Sequence, residues 1–245
     1  MEQDLKSVKI WNIKFNLLTT SEIASVVNTW ILSGKKGVHI TGVNAYTVAI
    51  AQNDAKLKEA ILDSDIVNVD SYLPTKYLKK KGYRIEARVP TPDVFEALLQ
   101  NADNNAQRVY FLGATDETLQ KLLPIIKKEY PHIIIVGCRN GYFADNEEQK
   151  LVDEISGLTP DYLFIALPSP KKEHFIMTYK HVMNVGCFYG VGGAFEAKAG
   201  VLHRPPKFLS AHGLEGLFRV LRKPKVYAKR IPKIISFIKM ANSNS

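Results

Sequence analysis

The chain has 245 residues, of which 46% are hydrophobic and 23% charged, and this composition excludes a disordered or low-complexity protein and fits one substantial globular core. Its formal net charge is +9. The whole excess lies after residue 200, because residues 1–200 carry equal numbers of basic and acidic side chains. Such an asymmetry indicates a tail that meets a polyanion such as an anionic lipid, a nucleic acid or a phosphate.

The N-terminus lacks the basic and apolar blocks of a signal peptide, and no apolar run approaches the ~18 residues that span a bilayer. We therefore expect a cytoplasmic protein with reduced thiols. Its two cysteines, Cys138 and Cys187, have no metal-ligand spacing, and we interpret both as buried, unreactive thiols on strands.

Taken in chain order, short β-rich runs alternate with segments of helical period. A first helix is predicted at 21–32, capped by Thr20 or Ser21 and ended at Gly34. Strands are predicted at 38–44, 66–70, 108–114, 133–138, 162–167 and 185–191. Helices are predicted at 45–62, 73–81, 92–101, 146–156 and 194–199. Two more are predicted: one follows the strand 108–114 and ends at about 129, and one begins at Pro170. This alternation predicts an α/β fold with a mainly parallel sheet and flanking helices.

In such sheets ligands bind beyond the carboxyl ends of the strands. The residues predicted there are polar or glycine: Asn44, Asp70, Gly113, Gly137 to Gly141, Ser169, and Gly190 to Gly193. Asp70 ends a mostly apolar strand, and a carboxylate placed there can take a proton from an attacking sugar hydroxyl. The alternative is that Asp70 caps the following turn through Ser71.

Asp63-Ser64-Asp65 mimics the D-x-D signature that holds a divalent metal in some sugar-nucleotide enzymes. It precedes the predicted strand 66–70 and so lies roughly 15 Å from the carboxyl rim. We interpret it as a helix-to-strand turn and predict no metal.

Two strand-to-helix junctions could bind phosphate. Ser169 and Pro170 suit an N-cap and a first helical position, while Lys171 and Lys172 occupy the positive end of a helix dipole, where a bound diphosphate would offset their cost. A plain helix start is the alternative. Gly190 to Gly193 could bring main-chain amides to a phosphate or could only allow close packing, and this turn is not a dinucleotide fingerprint.

After Gly200 apolar stripes run among Lys and Arg, with Ile231, Ile234, Ile235 and Ile238 on one helical face. We divide the chain into an α/β catalytic domain, 1–200, and a basic amphipathic appendage, 201–245. The favoured partner is an anionic membrane surface. A helical cap docked on the sheet is the alternative, and nucleic acid is disfavoured because RNA contact needs no repeated Leu and Ile stripes.

Several segments together resemble the WecG/TagA/CpsF family, glycosyltransferase family 26. They are Gly141-Tyr142-Phe143, Ser169-Pro170-Lys171 with Glu173, Val191 to Phe195, Ala199-Gly200, Arg204-Pro205 and Gly213 to Glu215, in the family's order. The similarity runs from about 38 to 230. It implies a Rossmann-like core and inverting, metal-independent transfer, with no cofactor, from a UDP-sugar to a polyprenyl-diphosphate-linked saccharide on the inner face of the cell membrane, for bacterial cell-surface polysaccharide synthesis.

The resemblance also implies roles for individual residues. Asp70 matches the family's catalytic Asp. The substrate-binding positions that match the family are Asn44, Arg88, Asp93, Tyr142, Ser169, Gly192 and Gly193. Two further substrate-binding positions, Gly113 and Lys172, come from the strand-end and helix-start patterns above. Arg204, Arg219, Arg222 and Arg230 match tail arginines that meet diphosphate or membrane.

This chain departs from the family pattern at several positions. Ser71 and Thr91 replace glycines, Lys172 replaces Gln, and Glu196 replaces Asp. Three readings stay open: transfer of an N-acetylmannosamine, its uronic acid or a glucose; non-catalytic binding of a nucleotide sugar or polyanion; and a disfavoured NAD-type oxidoreductase. The oligomeric state, including a homo-oligomer, is also open.

Overall fold

A six-stranded parallel sheet forms the centre of the fold in the computed structural model, which describes residues 5–85, 88–202, 209, 218, 220–221 and 224–243. Its strands are β3 Val38–Val43, β4 Ile66–Val69, β5 Arg108–Gly113, β6 Ile134–Arg139, β7 Tyr162–Ala166 and β8 Cys187–Gly190. They lie side by side in the order β4-β3-β8-β7-β5-β6, and every neighbouring pair is parallel. The predicted α/β fold with a parallel sheet is confirmed.

Helices connect and cover these strands. Those in the described ranges are α1 Thr20–Leu32, α2 Ala45–Ala51, α3 Ala55–Leu62, α4 Tyr72–Lys80, α5 Thr91–Asn104, α6 Asp116–Glu129, α7 Asp145–Gly157, α8 Lys171–Tyr179, α9 Ala194–Lys198, α10 Pro224–Tyr227 and α11 Ile231–Ser243, with a 3-10 turn Ala228–Arg230 before α11. Within the part of the chain that the structure describes, no helix has the length and apolarity needed to cross a bilayer.

Side chains alternate between the two faces of the sheet, as the pleat of a strand requires. On β7, Phe164 packs with α1, α5 and α6, whereas Leu163 and Ile165 pack with α7 and α8 on the opposite face. The opposite face has a second cluster over β3 and β4, formed with α2, α3 and α4. Burial on both faces explains why these strands read as nearly continuous apolar runs.

A hairpin that the sequence patterns did not predict precedes the sheet. β1 Ser7–Ile10 and β2 Ile13–Asn16 are antiparallel and joined by Trp11 and Asn12, both in the left-handed region with φ of 52° and 57°. The side chain of Asn16 accepts a hydrogen bond from the main-chain N–H of Val67 at 2.9 Å. The hairpin therefore lies beside β4, which is an edge strand of the sheet and is followed directly by Asp70.

Helix α11 docks on this same corner of the fold. Phe237 is fully buried, with its ring centroid 4.9 Å from that of Trp11 and 5.8 Å from that of Tyr77. Ile231 and Ile235 remain 41% and 47% exposed. One face of α11 thus acts as a cap while apolar side chains stay on the surface, and the division at residue 200 stays a prediction.

Several local predictions were wrong. The N-cap of α1 is Thr19, not Thr20 or Ser21, because Thr19 and Glu22 form a reciprocal capping box. The single helix expected at 45–62 is two helices, since the side chain of Asp54 caps α3 by accepting from the N–H of Leu57 at 2.9 Å. Cys138 is exposed because β6 is an edge strand.

Cys187 is buried as predicted, and its burial raises the pKa of its thiol.

Candidate functional site

The carboxyl ends of the parallel strands bring the predicted site residues to one rim. Asn44 follows β3, Asp70 follows β4, Gly113 ends β5, Ser169 follows β7 and Gly190 ends β8. β3 lies between β4 and β8, and neighbouring strands are about 4.8 Å apart, so Asp70 and the glycine turn after β8 are about 10 Å apart across the sheet. Gly137, by contrast, lies inside β6 opposite Tyr110, so this rim begins only after Arg139.

Asp70 is held by one carboxylate oxygen. Its Oδ1 accepts a hydrogen bond from the main-chain N–H of Thr91 at 2.5 Å, and its own N–H donates to the carbonyl of Val43 at 3.1 Å. Among the described residues its other oxygen has no hydrogen-bond partner, and the side chain is partly exposed. The bond goes to the start of α5 and not to α4, so Asp70 does not cap the turn after Ser71.

Buried polar groups fix the segment that donates to Asp70. The hydroxyl of Tyr189 donates to the carbonyl of Thr91 at 3.2 Å, and the side-chain amide of Asn68 donates to the carbonyl of Val89 at 2.7 Å. Tyr189 is fully buried, and both that burial and the charge of Asp70 raise the pKa of its hydroxyl, which therefore stays a donor. Sequence patterns did not identify Asn68, Thr91 or Tyr189 as site residues.

Asn44 combines a structural role with a free donor. Its side-chain oxygen caps α2 by accepting from the N–H of Thr47 at 3.1 Å. Its side-chain nitrogen donates to no other described residue, and the residue is partly exposed beside Asp70. This amide can donate to a ligand in the crevice.

Lys172 lies under the rim instead of projecting from it. It is 7% exposed, and the aliphatic stem of the side chain packs on Gly190, where an added Cβ would lie 2.9 Å from its Cδ. Its ammonium group is 2.5 Å from the hydroxyl of Ser169 and forms an ion pair with Glu173, which is 1% exposed. Contact of Lys172 with a diphosphate stays a prediction.

Ser169 does not cap α8 as expected. The helix begins at Lys171 after Pro170, and the hydroxyl of Ser169 donates to Oε1 of Glu173 at 2.7 Å. Within the described chain the second oxygen of Glu173 has no hydrogen-bond partner. Ser169, Lys172 and Glu173 thus form a hydrogen-bonded polar group after β7, in which Lys172 and Glu173 are buried and Ser169 is partly exposed.

The predicted glycine and aromatic positions differ in exposure. An added Cβ at Gly113 would lie 2.5 Å from the main chain of Ala166, so close packing accounts for this glycine. Gly192 has φ of 52°, and no atom of the described residues lies within 4 Å of an added Cβ there. Gly193 is exposed, and so is Tyr142, at 77%.

One tail arginine reaches the rim. The guanidinium of Arg230 lies 5.0 Å from the ring centroid of Tyr46, in the first turn of α2, and 5.0 Å from that of Tyr227. Arg88 is partly buried before α5, and Asp93 is exposed in the first turn of that helix. Arg204, Arg219 and Arg222 lie outside the described residues.

The Asp63–Asp65 turn lies at the opposite end of the sheet, as predicted. Asp65 accepts from the ammonium of Lys35 and from the main-chain N–H of His39, both at 2.8 Å, while Asp63 pairs with Lys180 at 2.6 Å. These carboxylates are engaged with cations and main chain far from Asp70.

Sequence comparisons extend over nearly the whole chain. The model of the Glycosyl transferase WecG/TagA/CpsF family matches residues 8–244. The N-acetylglucosaminyldiphosphoundecaprenol N-acetyl-beta-D-mannosaminyltransferase of Bacillus spizizenii is 30% identical over 223 residues, which cover 89% of this chain and 86% of that protein. The Bacillus subtilis (strain 168) protein of the same description is 26% identical over 220 residues, covering 90% of this chain and 85% of its own length.

Proposed function

Since the chain belongs to the WecG/TagA/CpsF family and is a glycosyltransferase, we propose that it moves N-acetylmannosamine from a UDP donor to a polyprenyl-diphosphate-linked N-acetylglucosamine, with inversion at the anomeric carbon. The names of both relatives specify this acceptor and a β-linked mannosaminyl product. The observation that supports a catalytic site is the carboxylate of Asp70, which is anchored through one oxygen and has no hydrogen-bond partner among the described residues at the other, on the same rim as the glycine turn after β8.

In the proposed reaction the free oxygen of Asp70 takes the proton of the acceptor hydroxyl while that hydroxyl oxygen bonds to the anomeric carbon. The bond from that carbon to the diphosphate oxygen breaks, and UDP leaves with the electron pair. Asn44 donates to a substrate oxygen. Main-chain amides of Gly192 and Gly193, with Arg88 and Arg230, stabilise the negative charge on the departing diphosphate.

The remaining predicted positions receive supporting roles in the proposal. Gly113, Ser169 and Lys172 form the floor of the donor pocket, and Tyr142 and Asp93 lie at its margin. Arg204, Arg219 and Arg222 are proposed to meet diphosphate or the anionic membrane surface, with the protein bound peripherally on the cytoplasmic face. The exposed Ile231 and Ile235 on α11 support this membrane contact.

A transfer assay with purified protein tests the function. UDP-N-acetylmannosamine, UDP-N-acetylmannosaminuronic acid and UDP-glucose are each incubated with a short-chain polyprenyl-diphosphate-N-acetylglucosamine, and mass spectrometry detects the disaccharide lipid. We expect a product with the first donor. Binding of UDP-sugars without consumption of any of them would establish a binding module and overturn the proposal.

Replacing the proposed base separates chemistry from binding. Asp70→Asn keeps the shape of the side chain but removes the charge that accepts a proton, so we expect kcat to fall by about 100-fold or more. The dissociation constant for UDP, measured by calorimetry, is expected to change less than about twofold because the base meets the acceptor. A variant with near-normal kcat would exclude Asp70 as the base.

A further inference from the structure

Thr91 and Gly42 meet directly beneath Asp70. An added Cβ on Gly42 would lie 2.2 Å from the hydroxyl oxygen of Thr91, 3.3 Å from the side-chain nitrogen of Asn68 and 3.4 Å from Cβ of Asp70. Thr91 is 8% exposed. The missing side chain at position 42 therefore provides the space that the Thr91 side chain occupies, next to the carbon that carries the carboxylate.

The main chain of Thr91 is fixed on both sides. Its carbonyl accepts from Tyr189 at 3.2 Å, and its N–H donates to Asp70 at 2.5 Å. The preceding Pro90 is extended, with φ of −65° and ψ of 136°. Thr91 is also the first residue of α5, where N–H groups have no partner within the helix and the helix dipole favours a negative charge.

We propose that Thr91 is a positioning residue for the transfer reaction, with its main-chain N–H orienting Asp70 and its side chain setting the distance between α5 and β3 over Gly42. The inference rests on the proposed function, in which Asp70 is the base. Thr91 stands where the family has Gly, and in this chain its side chain packs on Gly42.

A matched pair of variants separates the amide from the side chain. Thr91→Pro removes the N–H, and the site accepts proline because it is the first helical position and the residue before it is extended. Thr91→Gly removes the side chain and keeps the N–H. We expect kcat to fall by about 100-fold in Thr91→Pro and by less than about tenfold in Thr91→Gly, with the dissociation constant for UDP unchanged in both.

A second-site rescue tests the packing contact. Gly42→Ala places a methyl group where the Thr91 hydroxyl lies and should displace the start of α5, so that kcat falls while UDP binding persists. In the double variant Gly42→Ala with Thr91→Gly the 2.2 Å contact is gone and only the contacts of 3.3 Å with Asn68 and 3.4 Å with Asp70 remain, so we expect kcat to recover most of the way to the Thr91→Gly value. Circular dichroism melts of all variants check that each one folds.

An activity-independent readout keeps this inference distinct from the proposed function. In 15N-labelled protein we expect the amide proton of Thr91 far downfield, because it donates to a charged oxygen, and shifted upfield in Asp70→Asn. If the chemical shift of the Thr91 amide proton is the same in Asp70→Asn as in wild type, the positioning contact is overturned, even if the wild-type protein transfers sugar. Equal kcat in Thr91→Pro and wild type, or no rescue by the double variant, also overturns it. A responsive amide in a protein that transfers no sugar overturns the proposed function instead.

Discussion

His39 is a buried imidazole on β3 that has to remain neutral. It is 1% exposed, its Nδ1 lies 3.0 Å from the hydroxyl of Ser64, and its Nε2 has no hydrogen-bond partner in the described chain. Burial, with the positive charges of Lys180 and Lys172, lowers the pKa of His39 from 6.5 to about 3. The folded protein therefore cannot take up a proton that the unfolded chain binds.

This difference predicts acid sensitivity. The contribution of neutral His39 to the free energy of unfolding is fully present above pH 6.5. It is lost as the pH falls toward 3, because the pKa of His39 in the folded state lies below its unfolded value. His39 should lower the free energy of unfolding by up to about 1.4 kcal/mol per pH unit in that window. When the free energy of unfolding from urea titrations is plotted against pH, His39→Gln should flatten the slope between pH 6.5 and 3. His132→Gln, whose side chain is 71% exposed, serves as the control. Parallel slopes for wild type and His39→Gln would contradict the assignment.

The site residues that could be predicted from the sequence are those that directly follow a predicted strand. Asn44, Asp70 and Gly190 to Gly193 follow apolar runs of strand length, so the common edge of a parallel sheet brings them together. Thr91 and Gly42 carry no such signal, because their contact depends on how α5 packs on β3. The sequence places Lys172 at the start of a helix but does not indicate its burial, which the ion pair with Glu173 allows.

Among the elements, α2 and the 3-10 turn before α11 meet through Arg230. Its guanidinium lies 5.0 Å from the ring centroids of both Tyr46 and Tyr227. Within the described residues it forms no ion pair with a carboxylate, and the two rings hold the guanidinium near the start of α2.

If Arg230 contacts the diphosphate, its aromatic support should affect donor binding. Tyr46→Leu removes the cation–π contact and is expected to weaken UDP binding by about 2- to 30-fold. Tyr46→Phe keeps the ring and should bind UDP within about twofold of wild type. Calorimetric titration with UDP measures both, and equal affinities for the Leu and Phe variants would contradict the role of the stacked arginine.

Most elements with a clear period were predicted within a residue or two, although α5 ends three residues later than predicted, and the larger misses have physical causes. The hairpin turn is Trp-Asn at positive φ, where glycine is usual, and burial of the Trp11 side chain against Phe15 and Phe237 stabilises it. The break between α2 and α3 depends on a cap by Asp54, which an uninterrupted apolar period from 45 to 62 conceals. Local patterns indicate apolar faces but not which local hydrogen bond ends an element.

At the scale of the molecule, Phe237 connects α11 to the hairpin and α4. Phe237→Ala should lower the free energy of unfolding by about 3–5 kcal/mol, since the buried ring leaves a cavity between Trp11 and Tyr77. Ile235→Ala, on the exposed side of the same helix, should change it by less than about 0.5 kcal/mol. Urea unfolding measures both values, and similar losses in the two variants would mean that α11 is not docked through Phe237.

Substitutions on the exposed face of α11 can test membrane contact without changing the side chains that dock on the fold. Ile231→Ser with Ile235→Ser removes two exposed apolar side chains and should reduce sedimentation with anionic phosphatidylglycerol vesicles several-fold while leaving stability unchanged. Phosphatidylcholine vesicles are the uncharged control. Unchanged sedimentation with the anionic vesicles would remove these residues from the membrane contact.

The contact between Trp11 and Phe237 joins residues from nearly opposite ends of the sequence. During translation Trp11 leaves the ribosome early, but its packing partner follows only after every strand of the sheet has been made. The packing of Trp11 on Phe237 can therefore form only after the whole sheet has been synthesised. A chain that stops before Phe237 therefore lacks the ring that packs at 4.9 Å from Trp11, and this part of the hairpin turn stays unpacked until α11 has been made.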